Sequence, residues 1–288
     1  MERWLRATGT LHVTRRAIQR VETAGLQLLT SWKQLTHGGA WPPRRQGNLV
    51  MLHTGRSGSS VIADLLNQHP AIHWDGELFN HQLTLWRNKP RDRMIEAQGL
   101  IKRRINYFNV RFYGFEVLPT HLQAGQIEKD AFIAVLEDFD IEYFVLLTRR
   151  NILRKIISNL VARKRGRWRL MSGETAPLTR IHVDTLELQM ASIKPLIEHL
   201  QDMQAEYETL QALLSPRRCL HLVYEDDVLP DPRCAYRKIC RFLGVEYVEL
   251  PVRHGQTTPQ PLSRIIQNYA EVEQVLAGTQ FAWMLENG

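Results

Sequence analysis

Seven residues, Thr54-Gly55-Arg56-Ser57-Gly58-Ser59-Ser60, join a short apolar run (Leu49, Val50, Met51, Leu52) to an apolar helical pattern (Val61, Ile62, Leu65, Leu66). Small residues between a strand and a helix let backbone N–H groups converge on one point. The helix N-terminus adds its own unpaired amides and a dipole that favours negative charge. Such a turn can cradle a phosphate or a sulfate. Arg56 sets a fixed positive charge beside it, and Ser57, Ser59 and Ser60 flank Gly58 with hydroxyls. The loop lacks the Lys and the glycine spacing of G-x-x-x-x-G-K-[ST], and it contains no G-x-G-x-x-G, which disfavours an ATP or NAD cradle. The bland alternative is a Gly/Ser turn that serves only turn chemistry.

Two more clusters weigh against the bland alternative. The first runs from Tyr143 through Val145, Leu146, Leu147 and Thr148 to Arg149-Arg150-Asn151, then into Ile152-Leu153-Arg154-Lys155-Ile156-Ile157-Ser158. Asn151 suits an N-cap. At 100° per residue, Ile152, Leu153, Ile156, Ile157, Leu160 and Val161 share one face, and Ser158 lies off it, near Arg154. The Ser158 hydroxyl is therefore free for a ligand. An arginine grips a phosphate bidentately where a lysine cannot, and spacing does not choose between Arg149 and Arg150. The other cluster is Cys219-Leu220-His221-Leu222-Val223-Tyr224-Glu225-Asp226-Asp227, then Tyr236 to Leu243 closing on Gly244. It reads as strand, acidic loop, and helix with a glycine C-cap.

Together these three segments resemble the sulfotransferases that use 3′-phosphoadenosine-5′-phosphosulfate (PAPS), in particular the carbohydrate and bacterial glycan or glycolipid types. The resemblance covers roughly residues 49–245, and Asn67-Gln68-His69-Pro70 continues it after the first helix. The stretch Pro261–Tyr269 also looks like the tail of bacterial members, a weaker match. The resemblance implies an α/β fold of the P-loop-NTPase-like kind, a central parallel sheet flanked by helices. It implies that Arg56, Ser57, Gly58, Ser59 and Ser60 hold the 5′-phosphosulfate. Ser158 with Arg149 or Arg150 would hold the 3′-phosphate, and Tyr224 would lie near the adenine. Where cytosolic members carry a stacking Trp this chain has Val61, so adenine must be held differently. PAPS is then a co-substrate, PAP the product, and no metal is needed. The family also implies a glutamate after the first helix as general base. Glu77 in His73-Trp74-Asp75-Gly76-Glu77-Leu78-Phe79 matches best, with Asp75 and His73 as rivals. His53 is read as a hydrogen-bonded structural residue. The acceptor is a hydroxyl, of a saccharide or glycolipid by family type.

The elements that position these groups fit one domain. The chain has 288 residues, ordinary hydrophobic content of 44%, no repeat and no Pro/Gly/Ser-rich linker. A basic helical extension over residues 1–46 followed by one domain over 47–288 is expected. The net charge of +7 is uneven: residues 1–45 carry +6, residues 143–173 carry +9, and the rest −8. A local positive field over 143–173 would steer an anionic nucleotide. Nucleic acid binding has only charge behind it and is not expected. Residues 1–35, with Arg15, Arg16 and Arg20 among Leu and Val, suit a helix packed on its own domain or a partner subunit. Contact with an anionic membrane surface is the alternative. A homodimer is compatible with this pattern. Cys219, Cys234 and Cys240 are odd in number and lack metal-ligand spacing, which suggests reduced structural thiols. With no signal-peptide pattern and no 18-residue apolar run, a cytoplasmic location is expected. The polar stretch 166–185 is expected to be an acceptor lid, while Trp74, Trp86 and Trp168 receive no role. The competing readings are a nucleotide or sugar kinase on a related scaffold and a non-catalytic PAP-binding module.

Overall fold

The structure, a computed structural model, describes residues 44–80 and 92–286. The expected N-terminal extension lies, but for its last three residues, outside them, as does Trp86. Five strands form one all-parallel sheet: β1 (Gly47–His53), β2 (Ile72–Glu77), β3 (Phe112–Val117), β4 (Ile141–Thr148) and β5 (Cys219–Val223), in the order β2-β3-β1-β4-β5. This is the central parallel sheet that the strand–loop–helix units imply.

Both faces of the sheet are covered at its centre, so β1 and β4 read as near-continuous apolar runs. Their side chains alternate between two cores. Leu49 and Met51 of β1, with Tyr143, Val145 and Leu147 of β4, pack under α1 (Ser59–Gln68) and α7 (Pro232–Leu243). Val50 and Leu52, with Phe115, Phe144 and Leu146, pack against α2 (Arg93–Tyr107), α4 (Lys129–Asp138) and the end of α6 (Leu196–Leu214). A third cluster sets Ile152, Ile156, Ile157 and Val161 of α5 (Ile152–Arg165) against Leu196, Leu200 and the C-terminal residues Ile265, Val272 and Phe281. The apolar stripe read from the sequence thus anchors α5 and fixes the rotation of its other faces. A short α3 (Pro119–Gly125) follows β3, and α8 (Leu262–Ile265) and α9 (Tyr269–Leu276) close the chain.

The topology decides where a ligand can sit. From β1 the chain winds outward to β2 and back through β3, then crosses β1 to β4 and β5. The winding reverses around β1, and in open α/β sheets a crevice opens there at the carboxyl ends of the strands. The 54–60 loop follows β1 at that place. Glu77 pairs with Glu116, His53 with Leu147, and Thr148 with Val223. One rim therefore carries the 54–60 loop, Glu77, the Arg149–Asn151 turn and the start of the Tyr224 segment. Among the described residues, no helix is long and apolar enough to cross a membrane.

Packing within the sheet leaves no slack at Gly114 on β3. A Cβ there would lie 2.5 Å from Trp74 Cζ3 and 2.8 Å from Leu49 Cδ2. Gly114→Ala should therefore cost about 1–3 kcal/mol of stability, as overpacking does. Urea unfolding would read this as a lowered midpoint with an unchanged slope. An unchanged midpoint would contradict the packing described.

Candidate active site

The loop after β1 is built from left-handed backbone. Gly55 has φ 77°, Arg56 φ 53° and Gly58 φ 83°. Arg56 is not glycine, and such a conformation costs about 1–3 kcal/mol unless its surroundings hold it. Arg149 supplies the hold by donating from Nη1 to the Arg56 carbonyl at 2.9 Å. Gly58 must be glycine for a second reason: a Cβ would meet Val228 Cγ1 at 2.8 Å and Tyr224 Cδ2 at 3.0 Å. Gly58 also caps α1 without a side-chain hydrogen bond, which leaves the first amides of that helix open to an anion.

Two cavities meet on this loop. The smaller, of 440 Å³, is lined by Arg56, Gly58, Arg149, Arg154, Ser158 and Tyr224, with an apolar wall of Val61, Val228, Leu229 and Val252. The larger, of 1810 Å³, holds Glu77 and extends over Lys155, Asn159 and Arg163 toward α4 and α6. Arg56, Ser59, Ser60, Trp168 and Arg169 line both. Helix α5 is the partition between them. Asn151, Arg154 and Ser158 present one face to the smaller cavity, and Lys155, Asn159 and Arg163 present another to the larger. These spacings of three and four residues are helical neighbours.

The smaller cavity is strongly cationic. Arg56 donates to Ser158 Oγ from Nε at 3.0 Å and Nη2 at 2.7 Å, to the Trp168 carbonyl at 2.9 Å, and to Thr257 Oγ1. Burial lowers its pKa to about 10, helped by the charges of Arg149 and Arg165, so it stays protonated at neutral pH. Burial also lowers the pKa of Arg149 and of Arg154. The Arg149 guanidinium lies 4.2 Å over the Tyr224 ring, and its Nε sits 4.0 Å from Glu225. Arg149 Nε and Arg154 Nη1 are buried with no hydrogen-bond partner among the described residues. Buried donors of this kind normally have partners. A polyanion with several oxygens fits this set.

Not every expected ligand reaches the cavity. Ser57 is fully buried, and its hydroxyl donates to the Gly55 carbonyl at 3.1 Å, so it shapes the loop from inside. Arg150 turns outward into a two-pronged contact with Asp226 at 2.5 and 2.6 Å, about half exposed. Glu225 accepts from the backbone amides of Arg150 and Asn151, both at 3.0 Å, and so holds the end of β4. The acidic stretch after β5 is a π-helical turn, Tyr224–Val228, rather than an open loop. Asn151 caps α5 as expected, accepting from the Arg154 amide at 2.8 Å.

The three carboxylate and imidazole rivals separate cleanly. Asp75 is buried against Arg104, whose Nε approaches to 2.6 Å, and Tyr113, whose hydroxyl donates at 2.8 Å. His73 is buried and stacked on Phe108 at 3.7 Å between ring centres. Glu77 alone of the three lines the larger cavity. Its pKa is raised, first by burial and then by the charge of Glu116, with the positive charge of Arg169 opposing. The His121 Nε2 is 3.8 Å from Glu77, and burial drops the His121 pKa to about 4, which keeps that ring neutral.

Several residues of the site escape sequence reasoning. Trp168, Arg169 and Leu170 enter from the stretch expected to be a lid, and Leu170–Met171 pairs with His254–Gly255. The segment Val252–Pro259 closes the smaller cavity, with only the irregular run Val-Arg-His-Gly-Gln-Thr-Thr between Pro251 and Pro259 to mark it. Lys155 is a further surprise. It is buried, with Nζ 3.4 Å from Met203 Sδ and 5.9 Å from the Tyr207 ring. Burial, then the charge of Arg149, lowers its pKa from the usual 10.5 to about 7, with Glu206 opposing.

No family model matches the chain. Nodulation protein H of Rhizobium meliloti (strain 1021) is 25% identical over 261 residues, 88% of this chain and 98% of that protein. Nodulation protein H of Rhizobium tropici is 25% identical over 240 residues, 82% and 92% of the two chains. The crystal structure of a sulfotransferase from Alicyclobacillus acidocaldarius is similar at 15% identity and a TM-score of 0.45, over 85% of this chain and 95% of that one.

The Lys155 environment makes a stability prediction. Below pH 7 the lysine is charged in both folded and unfolded chains, and only the folded chain bears its burial. Lys155→Met should thus stabilise the protein at pH 6, and the gain should shrink as pH rises toward 10.5. Urea midpoints across this range would check it, and a gain independent of pH would contradict it.

Proposed function

We propose that the protein is a sulfotransferase that moves the sulfuryl group of PAPS to a hydroxyl of a carbohydrate or glycolipid. The observation that carries this reading is the meeting of two cavities on one anion loop, with arginines on one side and a carboxylate on the other. A transferase needs its donor and acceptor to face each other across the transferring group.

The smaller cavity would take the nucleotide. The loop amides and Arg56 receive the 5′-phosphosulfate. Ser158 receives the 3′-phosphate together with Arg149 and Arg150. Arg149 already faces the cavity. Arg150 is half exposed, and its ion pair with Asp226 is screened by solvent, so a doubly charged phosphate can displace it. The apolar wall of Val61, Val228, Leu229 and Val252 beside Tyr224 suits a flat purine. The larger cavity would take the acceptor. Its size and its amide side chains, Asn80, Gln123, Gln126 and Asn159, suit a polyhydroxylated substrate.

In the transfer, the acceptor oxygen attacks sulfur in line while the S–O bond to the 5′-phosphate breaks. The acceptor proton passes to Glu77. Charge builds on the departing phosphate oxygen, where the loop amides and Arg56 stand ready. One such preorganised donor is worth about 3 kcal/mol of barrier.

Arg56→Ala should abolish the rise in melting temperature that PAP gives the unaltered protein. Glu77→Gln should keep that rise yet lose about 10²–10⁴-fold in turnover with labelled PAPS. No rise with millimolar PAP, or one seen only with ATP and magnesium, would overturn the proposal in favour of a kinase. PAP binding without transfer to any hydroxyl acceptor would leave a binding module.

A further inference from the structure

A hydrogen-bonded network lies buried beneath the anion loop. Glu116 on β3 is 4% exposed, and its carboxylate accepts from His53 Nε2 at 2.8 Å and from Trp74 Nε1 at 2.9 Å. The Ser59 hydroxyl, from the anion loop, adds a third contact. The other nitrogen of His53, Nδ1, accepts the Gly55 amide proton at 3.0 Å. That bond fixes the tautomer: with Nδ1 accepting and Nε2 donating, the imidazole is neutral. The network therefore holds a single charge, the carboxylate of Glu116. Glu116 is also the cross-strand neighbour of Glu77, and its carbonyl accepts from the Leu78 amide at 3.2 Å.

We propose that Glu116 is a positioning residue that ties the anion loop to Glu77: it anchors the loop through His53 and Ser59, and sets a fixed negative charge beside Glu77. The proposal rests on the sulfuryl-transfer reading with Glu77 as base. Two adjacent carboxylates in unlike surroundings take unlike roles. Burial alone would push the Glu116 pKa up, but the donors His53, Trp74 and Ser59 more than offset it, so Glu116 stays ionised. Among the described residues Glu77 accepts no comparable set of donors. It faces Glu116 from β3, His53 from β1, His121 from α3 and Arg169 from the segment after α5. The negative neighbour favours the protonated form of Glu77 and so strengthens it as a base. The same carboxylate, through His53, holds Gly55 in the conformation that opens the loop amides. Donor binding and proton removal thus share one buried group.

Glu116→Gln separates this role from a merely structural one. Rate rises with pH as Glu77 loses its proton, so removing the neighbouring charge should move the acid limb of the kcat/KM profile down by about one pH unit. PAP affinity should fall several-fold as the loop loses its anchor. A uniform loss of activity with the limb unmoved would overturn the proposal. Should Glu116→Gln not fold, the double variant His53→Leu/Glu116→Met replaces the buried pair with apolar side chains, a change often tolerated. The same downward shift is expected of it, and an unmoved limb again overturns the proposal. Failure of the underlying reading would look different: the unaltered protein would show no PAP-dependent melting shift or no turnover.

Discussion

Positive charge crowded into a partly dry seam governs the site. Arg56, Arg149 and Arg154 line one cavity of 440 Å³ at the end of β1 and β4. Burial weakens each guanidinium's hold on its proton, and the charge of Arg149 adds to this for Arg56 and Arg154. Among the described residues the carboxylate that answers Arg149 is Glu225, at 4.0 Å. The fold tolerates this because hydroxyls and carbonyls take up most of the N–H groups: Ser158, Thr257 and Trp168 for Arg56, and the carbonyls of Thr258 and Gln260 for Arg154. An anion of several charges would relieve what remains. Such preorganised charge is also what a reaction with charge building on a leaving oxygen requires.

Everything else serves to keep that charge in place. The reversal of winding at β1 opens the crevice, and Arg149 ties the strained Arg56 backbone from the neighbouring strand. Helix α5, pinned by its apolar stripe, divides nucleotide-sized space from the larger cavity. Glu116, His53 and Trp74 brace the loop from below, on the side where Glu77 stands.

Much of the fold was legible in the sequence because it is local. Each strand runs straight into its loop and helix, so apolar runs, Gly58, Asn151 and Gly244 mark the elements and a parallel sheet follows. The convergence of Arg56, Ser158 and Tyr224 on one rim follows from the same order. What was not legible depends on distant partners. Arg149 and Arg150 look alike until Asp226, 76 residues on, draws the second outward. Asp75 and Glu77 look alike until Arg104 claims the first. Glu116 sits in an ordinary strand pattern, and only the register of β2 on β3 brings it beside Glu77. The segment Val252–Pro259 has no periodicity at all and arrives by a two-residue pairing with Leu170–Met171.

The central claim is that the smaller cavity and the loop together form one nucleotide site that opens onto Glu77. A crystal structure of the full chain with PAP tests it most directly. The expected result has the 5′-phosphate on the amides of residues 56–60, the 3′-phosphate at Ser158, and the purine against Val228 and Val252. PAP bound elsewhere, or bound with its 5′-phosphate off the loop, would contradict the account.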